Sequence, residues 1–174
     1  MVGQVSYPNR DATGGMSIYE RETVVAAPFE TVWDFHSDER GLEALTPGWM
    51  NLRVESTTGP DGDPDPDVLE EGAVVESSVR PFGVGPRQRW VSHIVARREE
   101  DGRAVFRDVM AEGPFPHWEH THRFEAVEGG TRVTDRVSYR LPGGALGRAA
   151  SPFAWIGFEP MFRHRHRRTK GLLE

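Results

Sequence analysis

Alternation of apolar and polar positions runs through most of the chain and gives way to helical spacing in two places. From Ser17 to Val25 the residues Ile18, Tyr19, Thr23, Val24 and Val25 predict a strand. Pro28 then opens a helix, at a position where its missing N–H costs nothing. Phe29, Val32, Trp33 and His36 recur at i, i+3, i+4 and i+7, one helical face. Asp38 caps a second short helix with Leu42 and Leu45 inward, and Thr46-Pro47-Gly48 ends it. Met50, Leu52 and Val54 alternate and predict the start of a second strand. Gly59 to Pro66 is a turn and loop. Strands follow over Gly72–Arg80, Arg87–Arg97, Arg103–Ala111, His117–Val127 and Thr131–Leu141. The turns at Pro81–Pro86, Glu99–Gly102, Gly113-Pro114 and Gly129-Gly130 separate them. Pro142-Gly143-Gly144 stops the sheet. Helical spacing of Leu146, Ala149, Ala150, Phe153 and Gly157 carries a last helix from Ala145 towards Leu173. Pro152 and Pro160 are expected to kink it or break it into two or three pieces.

Consecutive strands joined by short turns make an antiparallel sheet. The fold class is therefore α+β: a curved sheet of six to seven strands gripping a long C-terminal helix, with two short helices after the first strand. Residues 1–16 are polar, carry Pro8, Gly14 and Gly15, and read as a flexible N-terminal extension; Met16 offers an alternative start. Residues 17–174 form a single domain.

Composition narrows the chemistry. The 174 residues contain no cysteine, which excludes a disulfide framework, a thiolate metal site and a cysteine nucleophile. A net charge of −6 argues against nucleic acid as a partner. No apolar run is long enough to span a membrane and no secretory signal precedes Met16, so a cytoplasmic address is expected. Lys170 is the only lysine among 21 basic residues. That arginine bias with an acid excess fits a high-salt cytoplasm, and GC-rich coding gives the same bias.

Several ordered phrases carry a family likeness. They are Pro28-Phe29-Glu30-Thr31-Val32-Trp33-Asp34-Phe35, Leu45-Thr46-Pro47, Trp90 with Ile94, Phe106-Arg107-Asp108 and Gly113-Pro114-Phe115. Trp118-Glu119-His120-Thr121-His122-Arg123-Phe124 follows, then Gly130-Thr131 with Asp135, Val137, Tyr139 and Leu141-Pro142. Together they resemble the START-like helix-grip superfamily, also called SRPBCC, and within it the ligand-binding branch labelled cyclase/dehydrase-like. The resemblance implies a cavity between sheet and C-terminal helix that holds a hydrophobic small molecule such as a lipid, a quinone or a polyketide-like compound. It does not imply one reaction, since the fold hosts carriers and enzymes.

Strand alternation assigns faces within that frame. Trp118, His120, His122 and Phe124 share one face, opposite Glu119, Thr121, Arg123 and Glu125, which read as solvent-facing. Val133, Asp135, Val137 and Tyr139 share a face of the last strand, and Phe106, Asp108 and Met110 share one of the strand before His117. The apolar side of three strands thus carries Asp108, His120, His122 and Asp135. Three readings stay open: a structural Asp–His network, a polar wall that binds one end of an apolar ligand, and a general base at His120 or Asp135. No catalytic residue is assigned. The ligand-binding candidates are Phe106, Asp108, Trp118, His120, His122, Asp135 and Tyr139. Trp49, Phe115 and Phe153 join them at segment edges, where the resembling fold opens its cavity.

Other motifs fail. His120-x-His122 has a spacing that metal sites use, with Asp108 or Asp135 as a third ligand, but a cupin-type glutamate is replaced by Ala126 and Val127; no metal and no cofactor is expected. Asp61, Asp63 and Asp65 imitate a calcium loop, yet Pro66 and Gly72 occupy its required glycine and glutamate. Gly83-x-Gly85 lacks a third glycine. Arg163, His164, Arg165, His166, Arg167, Arg168 and Lys170 form a basic run, read as a solvated helix end suited to the C-terminal dipole. The function expected is binding or transport of a hydrophobic small molecule. The alternative is a cyclase/dehydrase- or hydrolase-type enzyme using the Asp/His cluster.

Overall fold

A computed structural model describes Val5–Ser6 and residues 16–174; the rest of the N-terminal extension expected over 1–16 lies outside the described residues. The strands are β1 (Val5–Ser6), β2 (Ser17–Val25), β3 (Arg53–Thr58), β4 (Val74–Val79), β5 (Gln88–Glu100), β6 (Arg103–Glu112), β7 (His117–Val127) and β8 (Gly130–Arg140). They form one antiparallel sheet in the order β1-β2-β8-β7-β6-β5-β4-β3. Seven strands are those expected, and the two-residue β1 pairs Val5 with Arg21 at the edge. Helices α1 (Phe29–His36) and α2 (Glu39–Leu45) follow β2, and α3 (Gly144–Ala150) and α4 (Trp155–Leu173) close the chain. Register shifts in β5 at Val91/Ser92 and Ile94/Ala96 mark bulges, which bend a sheet towards whatever it wraps.

Three expectations need correction. The strand after α2 begins at Arg53 instead of Met50, because Gly48–Met50 forms a 3-10 turn and Asn51 turns left-handed at φ 47°. Asn51 Nδ2 donates to the Arg80 carbonyl at 3.0 Å, which holds that turn against β4. The C-terminal helix breaks at Pro152, inside the 3-10 turn Ser151–Phe153, but α4 runs unbroken through Pro160. Pro160 forfeits one bond to the carbonyl of Ile156, a residue 60% exposed, so water can satisfy that group. Thr121, on the outward face, is buried: its cross-strand neighbours Arg107 and Arg136 carry long stems that cover it.

Two apolar clusters hold the layers together. One packs Phe29, Val32 and Trp33 of α1 against Val75, Ile94, Phe106, Phe124 and Val133 of the sheet. The other packs Phe158 and Phe162 of α4 against Tyr19, Trp118, Val137 and Tyr139. The α4 end is also tied by polar contacts: Tyr19 donates to Glu159 Oε2 at 2.7 Å, and Arg21 pairs with the same carboxylate. Burial and the Glu159 carboxylate together push the Tyr19 hydroxyl well above the usual phenol range.

The β7–β8 hairpin turns on Gly130, whose φ is +149°, and a Cβ placed there would sit 2.0 Å from the Val25 carbonyl oxygen. Gly130→Ala is therefore expected to destabilise the protein by about 1–3 kcal/mol through backbone overpacking. Thermal melting checks this, and an unchanged midpoint would refute the close approach.

Candidate functional site

Period-two alternation along β7 and β8 places a polar layer between the two apolar clusters. In β7 Trp118 belongs to one cluster and Phe124 to the other, with His120 and His122 between them. In β8 Val133 and Val137 flank Asp135 in the same way. The register pairs His122 with Asp135 across β7–β8, and Asp108 with His120 across β6–β7.

Asp135 is the hub. Its side chain is 3% exposed. Oδ1 accepts from His120 Nε2 at 2.8 Å, and Oδ2 accepts from His166 Nε2 of α4 at 2.6 Å. His122 Nδ1 approaches Oδ1 to 2.8 Å, but off the line of a hydrogen bond, so it counts as a close polar contact. Burial alone would raise the Asp135 pKa. The adjacent His122 and the bonds from its histidine partners outweigh that and hold the carboxyl well below its ordinary range. The His120 and His122 rings lie 3.9 Å apart between centroids.

The remaining groups shift by burial. His122 is pushed down to about 4, first by burial and then by the neighbouring His120. Burial also lowers His120, against its bond to Asp135. Asp108 goes the other way, up to about 6, because burial penalises its charged form. His36 of α1 donates Nδ1–H to the Val32 carbonyl at 2.8 Å, and burial takes its pKa down to about 3. Arg165 of α4 is lowered by burial, with Asp135 and Asp108 opposing that shift.

Two adjoining compartments open onto this layer. The first, about 110 Å³, is lined by apolar residues including Val75, Val79, Trp118 and Phe162, with Asp108, His120 and Arg165 as its charged or titratable wall. The second, about 90 Å³, is lined by His36, Phe106 and His122 and shares Asp108, His120 and Arg165 with the first. Of the sequence candidates, Phe106, Asp108, Trp118, His120 and His122 line this space, and Asp135 supports it from beneath. The other four line neither compartment. Trp49 stacks on Phe82 at 5.0 Å, and Phe115 packs on Trp118 at 5.0 Å. Tyr139 is buried and donates to the Ser151 carbonyl at 2.8 Å, and Phe153 is 65% exposed.

Sequence reasoning missed His36, Arg165 and His166 as members of the site. The solvated reading of the basic run holds for Arg163, Arg167 and Arg168, which are exposed, but His166 is 4% exposed. The signal was present: Phe158, Phe162, His166 and Thr169 are spaced by four, four and three, the period of one helical stripe, and all four are buried.

Comparison with solved structures places the fold. Protein Ms6760 from Mycobacterium smegmatis is similar at 20% identity and TM-score 0.63, covering 98% of each chain. Protein CV1439 from Chromobacterium violaceum is similar at 14% identity and TM-score 0.64, covering 90% of this chain and 96% of its own. A norcoclaurine synthase point mutant from Thalictrum flavum, in complex with a transition-state analogue, is similar at 16% identity and TM-score 0.63, covering 91% and 94%. These likenesses are to the open antiparallel sheet wrapped on a long C-terminal helix, the helix-grip fold. No curated protein matches the sequence significantly. The family described as polyketide cyclase / dehydrase and lipid transport matches residues 25–163, most of the chain, and the chain belongs to that family.

Proposed function

We propose that the chain binds a compact, mainly apolar small molecule between the sheet and α4, with its polar end at Asp108, His120 and Arg165. The observation that carries this is the shared wall: Asp108, His120 and Arg165 face both compartments beside Ser92, and the first compartment is otherwise largely apolar. Family membership supports hydrophobic ligand binding in general. The volumes favour a ring-bearing molecule, polyketide-like or quinone-like, over a long acyl chain. An apolar cavity of roughly 150 Å³ accepts benzene, and a drug-sized ligand needs about 300–1,000 Å³. A longer lipid would require α4 to move outward.

The enzymatic reading has one observation of its own. Asp108, pushed up to about 6, faces the same space as His120, and a carboxyl titrating there suits proton transfer at neutral pH.

Native mass spectrometry of the purified protein, followed by organic extraction, tests the binding reading. A stoichiometric apolar adduct supports it. An extract that contains a chemically altered form of a loaded compound favours the enzyme. Empty protein that also ignores a panel of ring compounds and lipids argues against both. Val75→Trp fills the wall common to both compartments. It is expected to remove the burial of a ring-sized group, about 1.5–3 kcal/mol, which is roughly 10- to 100-fold in Kd. Titration of a naphthalene-sulfonate fluorophore into both proteins reads this, and equal affinity would place the probe elsewhere.

A further inference from the structure

The polar layer holds an arrangement that apolar ligand binding does not require. Asp108, His120 and His122 each offer one ligating atom, and all three atoms lie within 4.8 Å of one another. All three project from adjacent positions on β6 and β7, so a paired sheet fixes their backbones. Asp135 decides which nitrogen of His120 is free. His120 donates Nε2–H to Asp135, which leaves the Nδ1 lone pair directed to the side where Asp108 Oδ1 lies, 4.0 Å away. His122 holds Nδ1 2.8 Å from Asp135 Oδ1 without a hydrogen bond to it. A carboxylate behind a ligating imidazole, setting its tautomer and orientation, is a recurring feature of metal sites, and Asp135 supplies it for His120.

Charge points the same way. The layer carries two carboxylates, Asp108 and Asp135, against one guanidinium, Arg165, whose interactions with both are the favourable part of its environment. A buried surplus of negative charge is costly, and a bound cation offsets it. Two imidazoles and a single carboxylate suit zinc or a neighbouring transition metal better than calcium or magnesium, which prefer oxygen donors. Ligand bonds of roughly 2.0–2.2 Å bring the donor atoms closer together than they stand. Asp108, with a side chain 15% exposed, is the freest of the three to rotate inward.

We propose that Asp108, His120 and His122 form a site for a divalent transition-metal ion of the zinc class, oriented from beneath by Asp135 and with an open position facing the apolar compartment. The site stands independently of the apolar-ligand reading, since its residues are fixed by the sheet whether or not an organic molecule binds.

The test uses the full chain, dialysed against a chelator and titrated with Co²⁺ and then Zn²⁺. One Co²⁺ per chain is expected, with visible ligand-field absorption of a four- or five-coordinate ion, displaced by Zn²⁺, and with a higher melting temperature when Zn²⁺ is bound. Asp108→Asn and His122→Ala are expected to weaken binding by about 100-fold or more, and Asp135→Asn by roughly 10- to 100-fold. Asp61→Asn, in the exposed acidic loop, should leave affinity unchanged. Absence of stoichiometric Co²⁺ and Zn²⁺ binding to the unmodified chain overturns the proposal without reference to any variant. Binding that survives undiminished in both folded Asp108→Asn and folded His122→Ala also overturns it, by placing the metal elsewhere.

Discussion

Asp135→Ala is expected to lose about 2–6 kcal/mol of folding stability, the cost of stranding buried donors that share one acceptor. Against a total of about 5–15 kcal/mol for an ordinary domain, that is a large share. The cause is local. Asp135 is the acceptor for His120 and His166 and the close neighbour of His122, and all of these side chains are at most 9% exposed. Alanine removes the acceptor and leaves imidazole N–H groups with no water to turn to, at about 1–3 kcal/mol for each unsatisfied group. Asp135→Asn keeps one carbonyl acceptor and should lose less. The exposed pair Arg89–Glu76, at 3.0 Å with side chains 57% and 43% exposed, gives the contrast: Glu76→Ala should change stability by less than about 1 kcal/mol. Urea unfolding of the three variants checks the order. An Asp135→Ala loss no greater than that of Glu76→Ala would mean that the network is not what holds α4 to β8.

The site was legible wherever it depends on strand periodicity. A two-residue repeat puts His120, His122 and Asp135 on the face of Trp118, Phe124 and Val137, and no tertiary information is needed to see it. Turn chemistry at Gly113-Pro114 and Gly129-Gly130 fixed the β7 limits at His117 and Val127. The helical contribution was harder to see. His166 and Arg165 sit in a run where charged or titratable side chains occupy eight consecutive positions but one, so the apolar marks of the buried stripe lapse after Phe162 and return only at Leu173. Which side of α4 meets the sheet is decided by Phe158 and Phe162 packing on Tyr19 and Trp118, a contact between residues far apart in sequence. His36 could be placed on an inward helix face, but its proximity to His122, 6.3 Å between rings, depends on how α1 lies across the sheet. Phe153 and Trp49 show the opposite limit. Their positions at segment edges suggested a cavity mouth, whereas the first points outward from a 3-10 turn and the second finds Phe82. Cavity size was not legible at all, because it is the residue of all packing and not the property of any one segment.

Acid is expected to weaken the metal-free protein before its carboxylates titrate in the ordinary range. An unfolded histidine protonates near pH 6.5 and an unfolded aspartate near 3.9. Folded His36 and His122 stay neutral down to about 3 and about 4, so between pH 6 and 4 the unfolded chain holds about two protons more on these positions. Asp108 opposes them: folded it keeps its proton up to about 6, so its contribution is full below 3.9 and is lost as pH rises through 6. About one proton of the difference is cancelled. The net slope is then a loss of about 1.4 kcal/mol per pH unit on acidification from pH 6 to 4. His120, also lowered, steepens it. Asp135, held well below its ordinary range, adds a further loss only as pH falls below about 3.9, where the unfolded aspartate protonates first. Urea unfolding of chelator-treated protein at pH 6.5, 5.5 and 4.5 measures the slope. His36→Gln removes one of the two surplus protons and should flatten it by about 1.4 kcal/mol per unit. If the histidines were charged in the folded protein, only the Asp108 difference would remain and stability would rise by up to about 1.4 kcal/mol per unit on acidification from pH 6 to 4, making Asp135 the centre of an ionic cluster instead of an acceptor for neutral imidazoles.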